Sequence, residues 1–152
     1  MTFPMERHHR LRQTPAMRQV LSETVLQPSD FIMPIFIEEG LSCPKLIVSL
    51  PNMYRHGLET VLDEIQAIVE KGILSVILFG IPAQKDATGS AAFDDAGIIQ
   101  QAIRLIKSHY PQLIVIADCC LCEYTDHGQC GVLTDDRSEE HTSELQSPCN
   151  LV

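Results

Sequence analysis

Two amphipathic segments, each followed by a nearly unbroken apolar run, constrain this chain most. Leu58, Val61, Leu62, Ile65, Ile68 and Val69 recur at helical spacing, and Gly72 stands where such a helix would stop. "ILSVILFG" (73–80) follows at once. The pattern then repeats. Residues 96–109 place Ile98, Ile99, Ala102, Ile103 and Ile106 on one side of a helix, with Asp94 or Asp95 as its cap, and "QLIVIAD" (112–118) follows. An apolar run without polar alternation is expected of a strand covered on both faces, which is the situation in parallel sheets. With "FIMPIFI" (31–37) as an earlier strand, the order is strand, helix, strand, helix, strand. This predicts parallel βα units of an α/β fold, either a (β/α)8 barrel or a doubly wound sheet. No Gly-x-Gly-x-x-Gly follows any of these strands, which disfavours dinucleotide binding.

The flanking segments read differently. Residues 1–28 form an arm with one short helix, capped by Thr14 with Pro15 in its first turn and carrying Met17, Val20, Leu21 and Val25 as an apolar stripe. Residues 38–56 carry Gly and Pro punctuation around "KLIVSL", which fits a hairpin-like excursion. Residues 137–147, "RSEEHTSELQS", have no apolar periodicity or strand pattern and resemble the conceptual translation of a sequencing-adapter oligonucleotide. Residues 137–152 are therefore expected not to be native, and 29–136 to hold the α/β unit. Three strands and two helices are fewer than half of an eight-stranded barrel, which takes about 250 residues.

Charge narrows the partners. Twenty acidic against 11 basic residues give a net charge of −9, which argues against nucleic acid or an anionic membrane surface. No apolar leader and no run of spanning length is visible, so a cytoplasmic chain is expected, where clustered thiols more often bind metal or do chemistry than form disulfides.

Four of the six cysteines fall in "DCCLCEYTDHGQC" (118–130), at the C-terminal end of the third predicted strand. Residues two apart in an extended segment face the same way, so Cys120 and Cys122 share a side. Gly128 permits a turn that returns Cys130 to them. Three convergent thiolates suit zinc, and a catalytic zinc site keeps its fourth position open. His127 is available as a fourth ligand, or as the base beside a cysteine nucleophile. Cys119 is expected to be a buried bystander and Cys43 to be inert. Asp118 is either an active-site carboxylate or a capping aspartate. A small standalone zinc-binding module would account for the same loop.

"ADCCLCEYTDHGQCGVL" resembles the zinc-binding signature of the porphobilinogen synthase (delta-aminolevulinic acid dehydratase) family. "HHRLRQTPAMRQVLSET", "MPIFIEEG", "SLPNMYR" and "ILFGIPAQKDATGSAAFDDAGIIQQAIRLIK" resemble further family segments, in the family's order, over about residues 5–135. The resemblance implies a partial (β/α)8 TIM barrel with an N-terminal arm that builds homo-octamers. It also implies condensation of two 5-aminolevulinate molecules to porphobilinogen with loss of two waters, in haem biosynthesis. Cys120, Cys122 and Cys130 would be the zinc ligands and Asp118 the active-site carboxylate, with magnesium a further ion of the full-length family. The two Schiff-base lysines that the family uses match none of Lys45, Lys71, Lys85 and Lys107, so the chain as written is expected to be inactive. Gln129 stands where histidine is usual, Asn52 where glycine is usual, and Cys119 is atypical.

Overall fold

The computed structural model describes residues 11–134 and 137–138. Helix α1 (Pro15–Val20) has the expected cap, with Thr14 Oγ1 accepting from Met17 N–H (3.1 Å). Every residue from 11 to 32 is exposed, so the apolar stripe of the arm has no cover within the chain.

One sheet holds the next five strands: β1 (Ile32–Glu38), β2 (Lys45–Leu46), β3 (Tyr54–His56), β4 (Ser75–Ile81) and β5 (Ile114–Ala117), in the order β2-β3-β1-β4-β5. β1, β4 and β5 are parallel neighbours, as predicted. Three strands were expected in the sheet and five are present. The excursion does form a hairpin, β2 against β3, but β3 also pairs parallel with β1 through Phe36 and Ile37. Tertiary pairing decides this, because a three-residue strand carries too little pattern to show in sequence.

Pro34 lies inside a central strand without breaking it. Glu39 N–H donates to Ile81 O (2.9 Å), so alternate residues of β1 face β4 and the Pro34 nitrogen faces away from it. On that side β3 pairs only at Phe36 and Ile37, leaving Pro34 at a local edge where no ladder bond is lost.

Helices α2 (Val61–Glu70) and α3 (Ile98–His109) pack on the same face of the sheet. Val61, Ile65 and Ile68 from α2 meet Ile98, Ile99, Ala102 and Ile106 from α3, over Ile35, Ile37, Val76, Leu78 and Val115. Leu58 falls before α2, in the turn leading into it, and packs only at the margin of this core. α2 ends as its sequence predicts. Gly72 is left-handed (φ 81), Gly72 N–H donates to Val69 O and Ile73 N–H to Ile68 O, which is a Schellman closure. The start of α3 differs from expectation. Gly97 is the cap, and Asp94 acts one turn earlier, its Oδ1 accepting from Ala96 N–H (2.8 Å). The opposite face of the sheet carries the stacked Phe36 and Phe79 rings, with Ile32 and Ile114 more than half exposed.

Residues 137–138, expected to lie outside the fold, form strand β7 against β6 (Leu133–Thr134), a local antiparallel pair that needs no apolar period. The rest of the expected non-native tail, 139–152, lies outside the described residues. Among the described residues no helix is long and apolar enough to cross a membrane. Asn52 has φ 61, in the left-handed region that glycine adopts freely and asparagine tolerates better than most residues. This explains how Asn can stand at a position where the resemblance leads one to expect glycine.

His56 is 6 % exposed, and its Nδ1 has no hydrogen-bond partner among the described residues, while Nε2 lies 3.9 Å from Glu64 Oε2. Burial holds its pKa below the ordinary 6.5, and the Glu64 carboxylate offsets part of that. In the window below 6.5 the unfolded chain therefore binds a proton that the folded chain does not. Stability is full above this window and is lost as pH falls through it. Urea midpoints of the wild type should drop between about pH 7.5 and about pH 5.5 by more than those of His56→Gln. Parallel curves for the two proteins would disprove the assignment.

Candidate metal centre

The site begins where the β4–β5 ladder ends. Asp118 N–H donates to Leu78 O (3.2 Å), one residue past the end of β5, and the chain then leaves the sheet. Asp118 thus sits half-buried at the C-terminal end of a parallel strand.

Beyond it the loop curls so that Cys120 Sγ lies 3.0 Å from Cys122 Sγ and 2.9 Å from Cys130 Sγ. All three sulfurs lie within 4.8 Å of one another, each on a half-buried residue, and none is in a disulfide. Gly128 supplies the return turn with φ 69, as its position predicted. Contact with Cys120, then burial, pushes the Cys122 thiol up to about 12. A protonated thiol of this kind releases its proton to a thiophilic cation.

The donor set fits such an ion. Zn–S bonds of about 2.3 Å in a tetrahedral site separate sulfurs by about 3.8 Å, so Cys120 would draw back from Cys122 and Cys130 by a little under 1 Å each to take the ion. No fourth protein donor joins the cluster among the described residues.

The structure assigns the remaining candidates elsewhere. His127 Nδ1 accepts from Gln129 N–H (3.1 Å), so its proton is on Nε2, which faces Ala87 O at 3.3 Å. Both ring nitrogens are engaged, Nδ1 within its own loop and Nε2 with the loop of Ala87, so the imidazole is neither a fourth ligand nor a base beside a thiol. Gln129 makes its contacts through its backbone, its carbonyl accepting from Thr125 Oγ1 (3.0 Å). Cys119 stays out of the cluster, as expected. It is exposed rather than buried, because the chain has already left the sheet when it reaches that residue. Cys43 is exposed and is not part of the cluster.

Sequence reasoning missed the groups that brace this loop. Asp86 and Thr125 form a strand-like bridge, and Asp126 N–H donates to Asp86 O (3.1 Å). Asp86 in turn gathers its own loop. Its carboxylate accepts from the hydroxyl and N–H of Ser90 and from Thr88 N–H (2.9 Å), and these bonds hold it far below the usual carboxylate range. The spacing D-x-T-x-S is a turn signal that was available in sequence. Glu123 offered no such signal. Its Oε2 accepts from Gly80 N–H (2.9 Å). Burial, then the nearby Asp118 charge, raises its carboxyl to about 7, with Gly80 N–H and Lys85 pulling the other way. Burial also raises the Tyr124 phenol, which Glu123 and Asp118 raise further.

A family model described as delta-aminolevulinic acid dehydratase matches residues 5–149. The delta-aminolevulinic acid dehydratase of Bacillus subtilis (strain 168) is 50% identical over 135 residues, covering 89% of this chain and 42% of that protein. The one from Halalkalibacterium halodurans is 52% identical over 130 residues, 86% of this chain and 40% of its own length. Among solved structures, the delta-aminolevulinic acid dehydratase (porphobilinogen synthase) of Toxoplasma gondii ME49, in complex with the reaction product porphobilinogen, superposes with a TM-score of 0.81. It shares 26% identity and covers 91% of this chain and 40% of that one. The chain spans about two fifths of the length of these relatives.

Proposed function

We propose a function from one premise: the chain belongs to the delta-aminolevulinic acid dehydratase family. On that premise it supplies the metal-binding part of a porphobilinogen synthase, which condenses two 5-aminolevulinate molecules to porphobilinogen with loss of two waters. The observation that carries the reading is the convergence of Cys120, Cys122 and Cys130 just past the C-terminal end of β5, beside Asp118.

The ion is zinc, because three soft sulfur donors favour it over magnesium, which needs oxygen ligands. When bound, zinc with an open position supplies Lewis-acid chemistry to a substrate oxygen or amine. Asp118, at the mouth of the same loop, orients a substrate ammonium or moves its proton. The Asp86–Thr125 bridge and the His127–Ala87 contact hold the loop still around these groups.

The sheet is the first part of a (β/α)8 barrel. Both helices lie on one face, as barrel helices do, whereas a doubly wound sheet carries helices on both. Residues 1–28 are the arm, and their exposed apolar stripe suits burial against another subunit of a homo-octamer. Residues 29–136 are the barrel portion, 137–152 are foreign to it, and the protein acts in the cytoplasm. The Schiff-base lysines belong to the part of the barrel outside this chain, which by itself is inactive. A standalone zinc module would explain the thiols but not the similarity over 130 or more residues.

A chimera tests this. Residues 5–134 are exchanged into the Bacillus subtilis relative in place of its matching segment. The chimera should form porphobilinogen, and Asp118→Asn should keep its zinc and lose at least about 10²-fold in rate. A folded, zinc-loaded chimera that forms no product would sink the proposal.

A further inference from the structure

The β4–β5 register, Val76 opposite Val115 and Leu78 opposite Ala117, would carry the next rung from Gly80 N–H to the Asp118 carbonyl. That rung is replaced. Gly80 N–H donates instead to the Glu123 carboxylate (2.9 Å), 43 residues away in sequence. A buried N–H left unmet bears its full desolvation penalty, so the substitution lets the backbone depart from the sheet at Asp118 without that penalty. The departure is what creates the cysteine loop.

The neighbouring residue uses the same place. Gly80 has no side chain, and a Cβ there would collide with Tyr124 Oη and Ile99 Cγ1. Tyr124, 6 % exposed, therefore lies directly over the bare face of Gly80 while Glu123 holds its N–H. Two consecutive residues thus dock on one glycine at the end of β4, immediately after the thiol-bearing Cys122.

We propose that Glu123 is the positioning residue of the metal centre, a latch whose carboxylate replaces the lost ladder acceptor and so fixes Cys122 and Cys120 relative to β4. Its role is that of an acceptor, and it touches neither the ion nor substrate. The inference rests on the zinc reading above for its consequence, but the latch itself is a feature of the fold.

Glu123→Gln keeps an acceptor oxygen, whereas Glu123→Ala removes it. Two measurements on the full chain separate the possibilities. In the apo protein, hydrogen exchange at the Gly80 amide should be slow in wild type and Glu123→Gln. In Glu123→Ala it should be at least about tenfold faster, while the Val76 and Leu78 amides stay protected and report an intact sheet. In chelator competition with zinc, Glu123→Ala should bind about 10- to 100-fold more weakly, the range for outer-shell changes, with Glu123→Gln within about threefold of wild type. Equal Gly80 exchange in all three proteins would overturn the latch, even if Glu123→Ala were too unstable for titration. Equal weakening of zinc by both variants would overturn the acceptor role. If the exchange pattern holds but wild type binds no zinc, the metal reading fails and with it the positioning role, and only the structural contact is left.

Discussion

Replacing Cys120 and Cys122 together by serine is expected to abolish zinc binding. Wild-type chain, dialysed against zinc and then buffer, should retain about one ion per chain, and the double variant close to none. Structural zinc sites are worth about 10–16 kcal/mol in apparent binding free energy, so an even division over four ligands gives each about 3 kcal/mol. Loss of two thiolates then weakens binding by about 10⁴-fold or more. Cys119→Ser, outside the cluster, should bind as wild type does. Affinity should also rise with pH, because the Cys122 thiol, pushed up to about 12, keeps its proton and the ion must displace it. Elemental analysis and chelator competition read both effects. Undiminished zinc in the double variant would refute the ligand assignment.

Leu78→Ala should cost the fold about 3 kcal/mol, within the 2–5 kcal/mol typical of a buried leucine truncation. Leu78 is fully buried, on a strand flanked by β1 and β5 and lying in the core that α2 and α3 cover. Nothing nearby can collapse into the space without moving a helix. Ile114→Ala, on the face of β5 away from the helices, removes a side chain that is 56 % exposed and should cost well under half as much in this chain. Urea unfolding of the two variants compares them directly. Equal losses would mean that the helices do not pack on the face described.

The parts of the fold legible in sequence are those with a local period. Ile65, Ile68, Ile99 and Ile106 signal their helices because a buried stripe must recur every third or fourth residue. Gly72 signals a helix end because its left-handed conformation is a property of one residue. β3 escaped because three residues have no measurable period and their partner, β1, is set by the whole excursion. The Asp94 cap was misplaced because Asp94, Asp95 and Gly97 all lie near the helix start and only backbone geometry selects among them.

The chemistry followed the same division. C-x-C with a third cysteine after a glycine turn is a local pattern, so the convergence of Cys120, Cys122 and Cys130 was legible, and the structure brings them together. His127 was also in reach of that pattern, yet Ala87 and Gln129 take both its nitrogens. The sequence by itself determined two βα units, a capped arm helix and a loop at a strand end whose cysteines can converge. Only the tertiary structure decided that both helices cover one face, that β3 joins the sheet, and that Glu123 replaces the ladder acceptor of Gly80. The physical reason is separation along the chain. Hydrophobic period and turn chemistry act within a few residues, whereas Gly80 and Glu123 meet across 43, and strand register alone brings them together.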